Sequence, residues 1–162
     1  ARRPTSQNRS ITMNKRSLFR GLCAAALAAF AFGAAQAAET PPALAGAKLV
    51  GAEEVKKMLD AGVPVIDTRI AAEYAEKTIK GAISVPYKEK SAKEPGFDAS
   101  QDQFDLSKLP ANKAAPLVMF CNSGECWKSY KASVAAIKAG YSKVHWFRGG
   151  FPEWNAKGLP TQ

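Results

Sequence analysis

Cys121 and Cys126 bracket a short loop, Cys121-Asn122-Ser123-Gly124-Glu125-Cys126, between two contrasting runs. Before it, Pro116-Leu117-Val118-Met119-Phe120 is continuously apolar and reads as a buried strand. After it, Trp127 to Ile137 reads as a helix. A strand that hands a cysteine to a loop opening a helix places that sulfur among free backbone N–H groups and the positive end of a helix dipole. A thiolate held there has a lowered pKa, and the same cradle holds an anion. Cys121 is therefore the candidate nucleophile. Cys126 is read as a resolving or redox partner, or as an oxidisable residue filling the loop. Lys128, in the first turn, opposes the helix dipole unless an anion lies nearby. Arg148, after the next strand, is a second candidate for attracting that anion.

The rest of the composition narrows the classes. The chain has 162 residues, 23 basic and 14 acidic, for a net charge of +9. Six of the basic residues and none of the acidic ones fall in residues 1–37, so the remainder stands near +3. Met13 to Arg20 is basic, Gly21 to Ala35 is small or apolar, and Ala35-Gln36-Ala37 is a small-residue cleavage site. This is the pattern of a secretory signal peptide over residues 13–37, with residues 1–12 an upstream extension. The apolar run is shorter than the roughly 20 residues of a membrane span. Cleavage leaves one domain, no stable membrane span, and no charge excess that would argue for nucleic acid. It also removes Cys23. Two cysteines in one loop make a poor disulfide scaffold, which shifts weight toward chemistry. The single histidine, His145, lies inside an apolar strand and leaves too few soft ligands for a zinc site.

The elements that must position the loop follow in order. Residues 38–47 read as a flexible mature N-terminus, and residues 48–162 as the domain. Lys48-Leu49-Val50 reads as a strand. Val55, Met58 and Leu59 share one face of a helix closed by Gly62. Val63 to Arg69 is a strand turning polar at its end, Ala71 to Lys77 a short helix, and Ile79 to Pro86 a turn and strand. Residues 87–115 form a long polar segment, which Phe97, Phe104, Leu106 and Leu109 pin to the body. Lys143 to Phe147 is a further strand, and Arg148 to Gly158 a glycine turn and last helix. Strands alternating with helices give an α/β domain with a mainly parallel sheet. Ligands in such sheets sit beyond the strands' carboxyl ends, where the loop after Phe120 lies.

Assembled in this order, the chain resembles a single-domain rhodanese, a sulfurtransferase module, from about Leu49 to Pro160. Three blocks carry the resemblance. Val65-Ile66-Asp67-Thr68-Arg69, with Glu73-Tyr74 and Ile79 to Pro86, is similar to the amino-terminal block of that family. Cys121 to Cys126 resembles its six-residue active-site loop. Trp146-Phe147-Arg148-Gly149-Gly150-Phe151-Pro152-Glu153-Trp154, followed by Gly158-Leu159-Pro160, resembles its carboxyl-terminal signature. The resemblance implies a three-layer rhodanese-like fold with helices on both faces of the sheet. It implies a Cys121 persulfide that takes sulfur from a small anion such as thiosulfate and passes it to a thiol or cyanide, with no cofactor. Asn122, Ser123, Gly124, Glu125 and Trp127 would form the substrate-binding loop. Two departures stand out. Lys77-Thr78 replaces the usual Gly-His pair, with a fold-level effect expected, and the sixth loop position is Cys126. The Cys-x4-Cys-Trp pattern resembles a subgroup of exported rhodanese-like proteins. It implies a periplasmic protein in which Cys126 attacks the persulfide, so that turnover draws on a periplasmic redox partner.

The resemblance implies a structural role for Asp67 and Arg69, as a buried ion pair or a cap tethering neighbouring loops, rather than a role as substrate ligands; Trp146, Phe147, Phe151 and Trp154 are read as core. Two other functions stay open on these residues. One is a periplasmic thiol–disulfide redox protein using Cys121 and Cys126. The other is a sulfur-carrier or binding module without turnover.

Overall fold

The structure, a computed structural model, describes residues 38–162. The expected upstream extension, the expected signal peptide and Cys23 lie outside the described residues. Five strands form one sheet: β1 (Ala47–Leu49), β2 (Val65–Asp67), β3 (Ile83–Ser84), β4 (Leu117–Phe120) and β5 (Val144–Phe147). Their spatial order is β1-β5-β4-β2-β3, and every pairing is parallel. Four helices connect and cover them: α1 (Ala52–Asp60), α2 (Ala71–Glu76), α3 (Trp127–Lys138) and α4 (Gly150–Ala156). No helix among the described residues is long and apolar enough to cross a membrane.

The central strand explains the layering. All four residues of β4 are buried, because successive side chains face opposite layers. Val118 and Phe120 join Val55, Val65, Phe147 and Trp154 on one face. Leu117 and Met119 join Ile66, Ala132, Ala136 and Val144 on the other, under α3. A third cluster of Trp127, Tyr130, Trp146 and Phe97 extends that second face. This is the three-layer α/β fold expected from the alternating elements. Gly62 (φ +82°) and Gly140 (φ +95°) close α1 and α3 in the left-handed conformation that favours glycine.

The long segment 87–115 carries two single 3₁₀ turns, Ala99–Gln101 and Leu106–Lys108, each capped by an aspartate (Asp98, Asp105). Phe97 and Leu109 are buried, and Phe104 packs against Tyr87 with ring centroids 5.5 Å apart. Leu106 does not anchor it; it is among the exposed large hydrophobic residues. The stronger anchor is polar. Lys131 of α3 is completely buried. Its ammonium donates to Ser91 Oγ (2.8 Å) and Ser91 O (3.1 Å), and lies 2.9 Å from Glu89 Oε2 and 3.8 Å from Asp102 Oδ2. Asp102 in turn accepts from Lys90 N, Ser91 N, Ser91 Oγ and Tyr87 OH. A buried charge persists only when paired and hydrogen-bonded; Lys131 meets that condition through Ser91 and the two carboxylates, while Glu89 Oε2 is paired with it by charge but makes no hydrogen bond.

Burial disfavours the Asp102 carboxylate, but the bonds from Ser91, the Lys90 N–H and Tyr87 outweigh it and hold the group at about 2 against an ordinary 3.8. Burial and the Asp102 charge push the Tyr87 hydroxyl up, well above its ordinary value. The folded value of Asp102 is below the unfolded one. Its contribution is therefore complete above about pH 4 and is lost as pH falls through about 2; with solvent nearby it amounts to about 1–2 kcal/mol. Urea unfolding at neutral pH and at acid pH should show this loss, and Asp102→Asn should flatten it. An unchanged acid dependence in Asp102→Asn would show that other carboxylates carry it.

Candidate active site

The loop after β4 starts at the centre of the sheet, between strands β5 and β2. Its first residue is fixed from two sides. Phe120 O accepts from Thr68 N (3.1 Å) and Thr68 Oγ1 (2.8 Å). Cys121 O accepts from Phe151 N at 2.8 Å. Gly150 makes that approach feasible: its φ is +62°, and a Cβ there would overlap the Cys121 carbonyl oxygen. The glycine turn read in the sequence therefore serves Cys121 directly.

Cys121 and Cys126 are joined by a disulfide, with Cα atoms 6.2 Å apart. Cys121 is 1% exposed, whereas Cys126, the N-cap of α3, is half-buried. Between them, Ser123 O accepts from Cys126 N (3.0 Å), and Ser123 Oγ accepts from Glu125 N (3.3 Å). The N–H groups of Asn122, Ser123 and Gly124 form no hydrogen bond among the described residues. They remain donors for an anion, together with the unpaired first-turn N–H groups of α3.

The other expected residues fall in different places. Asn122 Nδ2 donates to Glu73 Oε1 at 2.6 Å, so α2 steers the loop. Glu125 is exposed. Trp127 is buried, packs edge-on against Tyr130 at 5.2 Å, and donates to Ala38 O at 2.6 Å. Lys128 is half-buried and forms no ion pair among the described residues. Arg148 is not a free cation in the mouth of the sheet. Its guanidinium donates to Thr40 O (2.9 Å), Thr40 Oγ1 (3.1 Å) and Glu39 Oε2 (3.3 Å). It lies so close to Gly124 that a Cβ there would stand 2.7 Å from Cζ, which explains the glycine.

Residues 38–47, read as a flexible terminus, are partly seated on the loop. Thr40 is buried, and both its N–H (2.8 Å) and its Oγ1 (2.6 Å) donate to Gly124 O. The sequence reading places Thr68 and Glu73 in the amino-terminal block without giving either a role at the loop, and it does not name Thr40. Asp67 and Arg69 form a buried ion pair, one of the two structural roles expected of them. Arg69 Nη2 is 2.7 Å from Asp67 Oδ2, and Arg69 Nε reaches both carboxylate oxygens. Thr78, at the position of the family's histidine, donates to Asp67 Oδ2 at 2.8 Å. Arg69 also stacks on Phe151 at 4.4 Å, the residue whose N–H holds Cys121.

A family model for the rhodanese-like domain matches residues 51–157, which include both loop cysteines and all four described helices. The chain belongs to the rhodanese-like domain family. Among curated relatives, this rhodanese-like chain is 30% identical over 105 residues to thiosulfate sulfurtransferase 16, chloroplastic, of Arabidopsis thaliana, covering 65% of this chain and 84% of that one. Among solved structures, the human single-domain sulfurtransferase TSTD1 is 26% identical with a TM-score of 0.50, covering 68% of this chain and 97% of that one. The BH2092 protein of Bacillus halodurans shares the fold, with a TM-score of 0.54 at 19% identity, over 72% of this chain and 77% of that one. The family, the Arabidopsis relative and the human single-domain protein support a sulfurtransferase reading of the rhodanese-like domain.

Proposed function

We propose that this protein is an exported, periplasmic sulfurtransferase that takes sulfane sulfur from thiosulfate or a related donor onto Cys121, and that Cys126 resolves the resulting persulfide. The observation that carries this reading is the position of Cys126 within bonding reach of Cys121, across a loop with free N–H donors. The export assignment rests on the leader pattern in residues 13–37.

In the reduced protein, the Cys121 thiolate attacks the outer sulfur of thiosulfate. The S–S bond of the donor breaks, and its electron pair leaves with sulfite. The free loop N–H groups stabilise the charge that develops on the transferred sulfur. Two fates follow. An acceptor thiolate or cyanide removes the outer sulfur and returns the electron pair to Cys121. Alternatively, the Cys126 thiolate attacks the inner sulfur, expels the outer one as sulfide and closes the disulfide. The second route oxidises the pair, so each such turnover consumes a dithiol reductant. Cys126 is the more exposed of the two cysteines, so an incoming thiolate reaches it first and Cys121 departs as the thiolate.

Mass spectrometry of the reduced protein after thiosulfate treatment tests the assignment. The wild type should release sulfide and end as the disulfide, two hydrogens lighter. Cys126→Ser should keep one added sulfur on Cys121. Sulfide release at the wild-type rate from Cys126→Ser would end the resolving role. A wild type that cycles its disulfide with dithiols but never gains sulfur would favour a thiol–disulfide redox protein.

A further inference from the structure

Beside the loop lies a cavity of about 340 Å³ that the sulfur chemistry itself does not use. Ile70, Ala71, Pro86, Tyr87 and Glu89 line it, and Lys88 and Lys128 stand with them. Its walls are the carboxyl-end segments that also build the active site. Lys128 is in the first turn of α3, two residues past Cys126. Ile70 and Ala71 open α2, the helix whose Glu73 holds Asn122. Ile70 is 49% exposed although it is a large aliphatic residue at a helix start, so the cavity offers an uncovered apolar wall.

The charge balance of this cavity is one-sided. Glu89 lies 2.9 Å from the buried Lys131, which offsets its charge. Lys88 and Lys128 form neither an ion pair nor a side-chain hydrogen bond among the described residues. A lysine in the first turn of a helix is unfavourable unless an anion offsets it. The larger cavity, about 560 Å³, also borders Lys88, but Asp102, Asp105 and Lys108 line it, and Asp105 pairs with Lys108 at 3.9 Å. Its wall thus carries carboxylates as well as lysines. Of these two cavities, the smaller pairs an apolar wall with two lysines that form no ion pair among the described residues, and its size suits a small organic molecule.

We infer that this cavity is the acceptor subsite, and that it takes a thiol with an apolar chain and a terminal carboxylate. The inference rests on the sulfurtransferase reading. The chain lies against Ile70 and Pro86, and the carboxylate meets Lys88 and Lys128. The acceptor thiolate attacks the outer sulfur of the Cys121 persulfide, the bond to Cys121 breaks with its electron pair returning to Cys121, and the acceptor leaves as a persulfide.

Two measurements test it. The first compares mercaptohexanoate with mercaptohexanol as acceptors at low ionic strength. The carboxylate acceptor should have the lower KM. The ratio of the two KM values should fall about three- to fivefold in either Lys88→Gln or Lys128→Gln, and approach one in the double variant. Lys108→Gln should leave the ratio unchanged. The second needs no sulfur transfer: hexanoate, titrated into the disulfide form, should shift the NMR amide signals of Ala71, Tyr87 and Lys128, and hexanol should do so only weakly. Equal KM values for the two acceptors, or a ratio that survives in the double variant, would overturn the subsite. Transfer to thiols without hexanoate shifts at this cavity would overturn it while leaving the sulfurtransferase reading intact. Hexanoate shifts at the cavity in a protein that transfers no sulfur would reject that reading instead, and with it an acceptor role for the subsite.

Discussion

Sulfur transfer from thiosulfate should fall at least about a thousandfold in Cys121→Ser, the size expected when a covalent nucleophile is lost. A hydroxyl at the end of β4 cannot take over. Serine is a weak nucleophile until an adjacent base removes its proton. The one histidine of the chain lies on β5, with Nδ1 3.3 Å from Leu117 O, and is no partner for position 121. Cys126 cannot substitute either, since it caps α3 at the far end of the loop and lacks the Phe151 contact that fixes Cys121. The variant should remain folded, because a bridge between residues five apart in sequence closes little chain. Steady-state assays with thiosulfate and cyanide, run beside urea unfolding of the same sample, measure both quantities. A Cys121→Ser protein with full activity would remove the persulfide mechanism altogether.

The largest effect on stability should come from Arg69→Met. Asp67 is completely buried, and Arg69 is 3% exposed. Removing the guanidinium leaves the carboxylate with the Thr78 hydroxyl and the Arg69 N–H as its donors. An unpaired buried charge of this kind costs about 3–5 kcal/mol, a large part of the total stability of a domain. The variant also loses the donor to Lys77 O and the stacking on Phe151. Urea unfolding at neutral pH should show the drop, and Asp67→Asn combined with Arg69→Met should cost less than the two separate effects summed. A loss under about 1 kcal/mol in the single variant would mean that solvent or relaxation rescues Asp67.

The two residues show what the sequence could and could not convey. The place of Cys121 was legible because a buried parallel strand reads as an unbroken apolar run, and Cys121 stands where that run stops. Asp67 and Arg69 were legible as structural residues through the family's amino-terminal block, which left open whether they form an ion pair or a cap. Lys131 was not. Lysine on a helix is ordinarily solvated, and only the small residues around it, Ala132, Ser133 and Ala136, hinted that α3 is enclosed on several sides. Its partners Glu89, Ser91 and Asp102 sit in the long segment 87–115, where no periodicity marks which polar residues turn inward. Leu106 was misplaced for the converse reason: an apolar residue in a capped 3₁₀ turn carries no signal of which way the turn faces. Arg148 and Thr40 were illegible because their contacts span 108 residues.

The distance between those partners has a kinetic side. β1 pairs with β5, and Thr40 meets Gly124 across 84 residues of sequence. As the chain is made, Thr40 and β1 appear early; Gly124 emerges before β5, but β1 has no pairing edge and Thr40 lacks its Arg148 contacts until residues 144–148 exist. Long-range closures of this kind come late, because the entropy of the intervening chain is spent before the contact can form. The Thr40 contact to Gly124 adds to the chain entropy spent before the fold is complete, and a chain that stops before Val144 would leave β1 without its partner strand and Thr40 without Arg148.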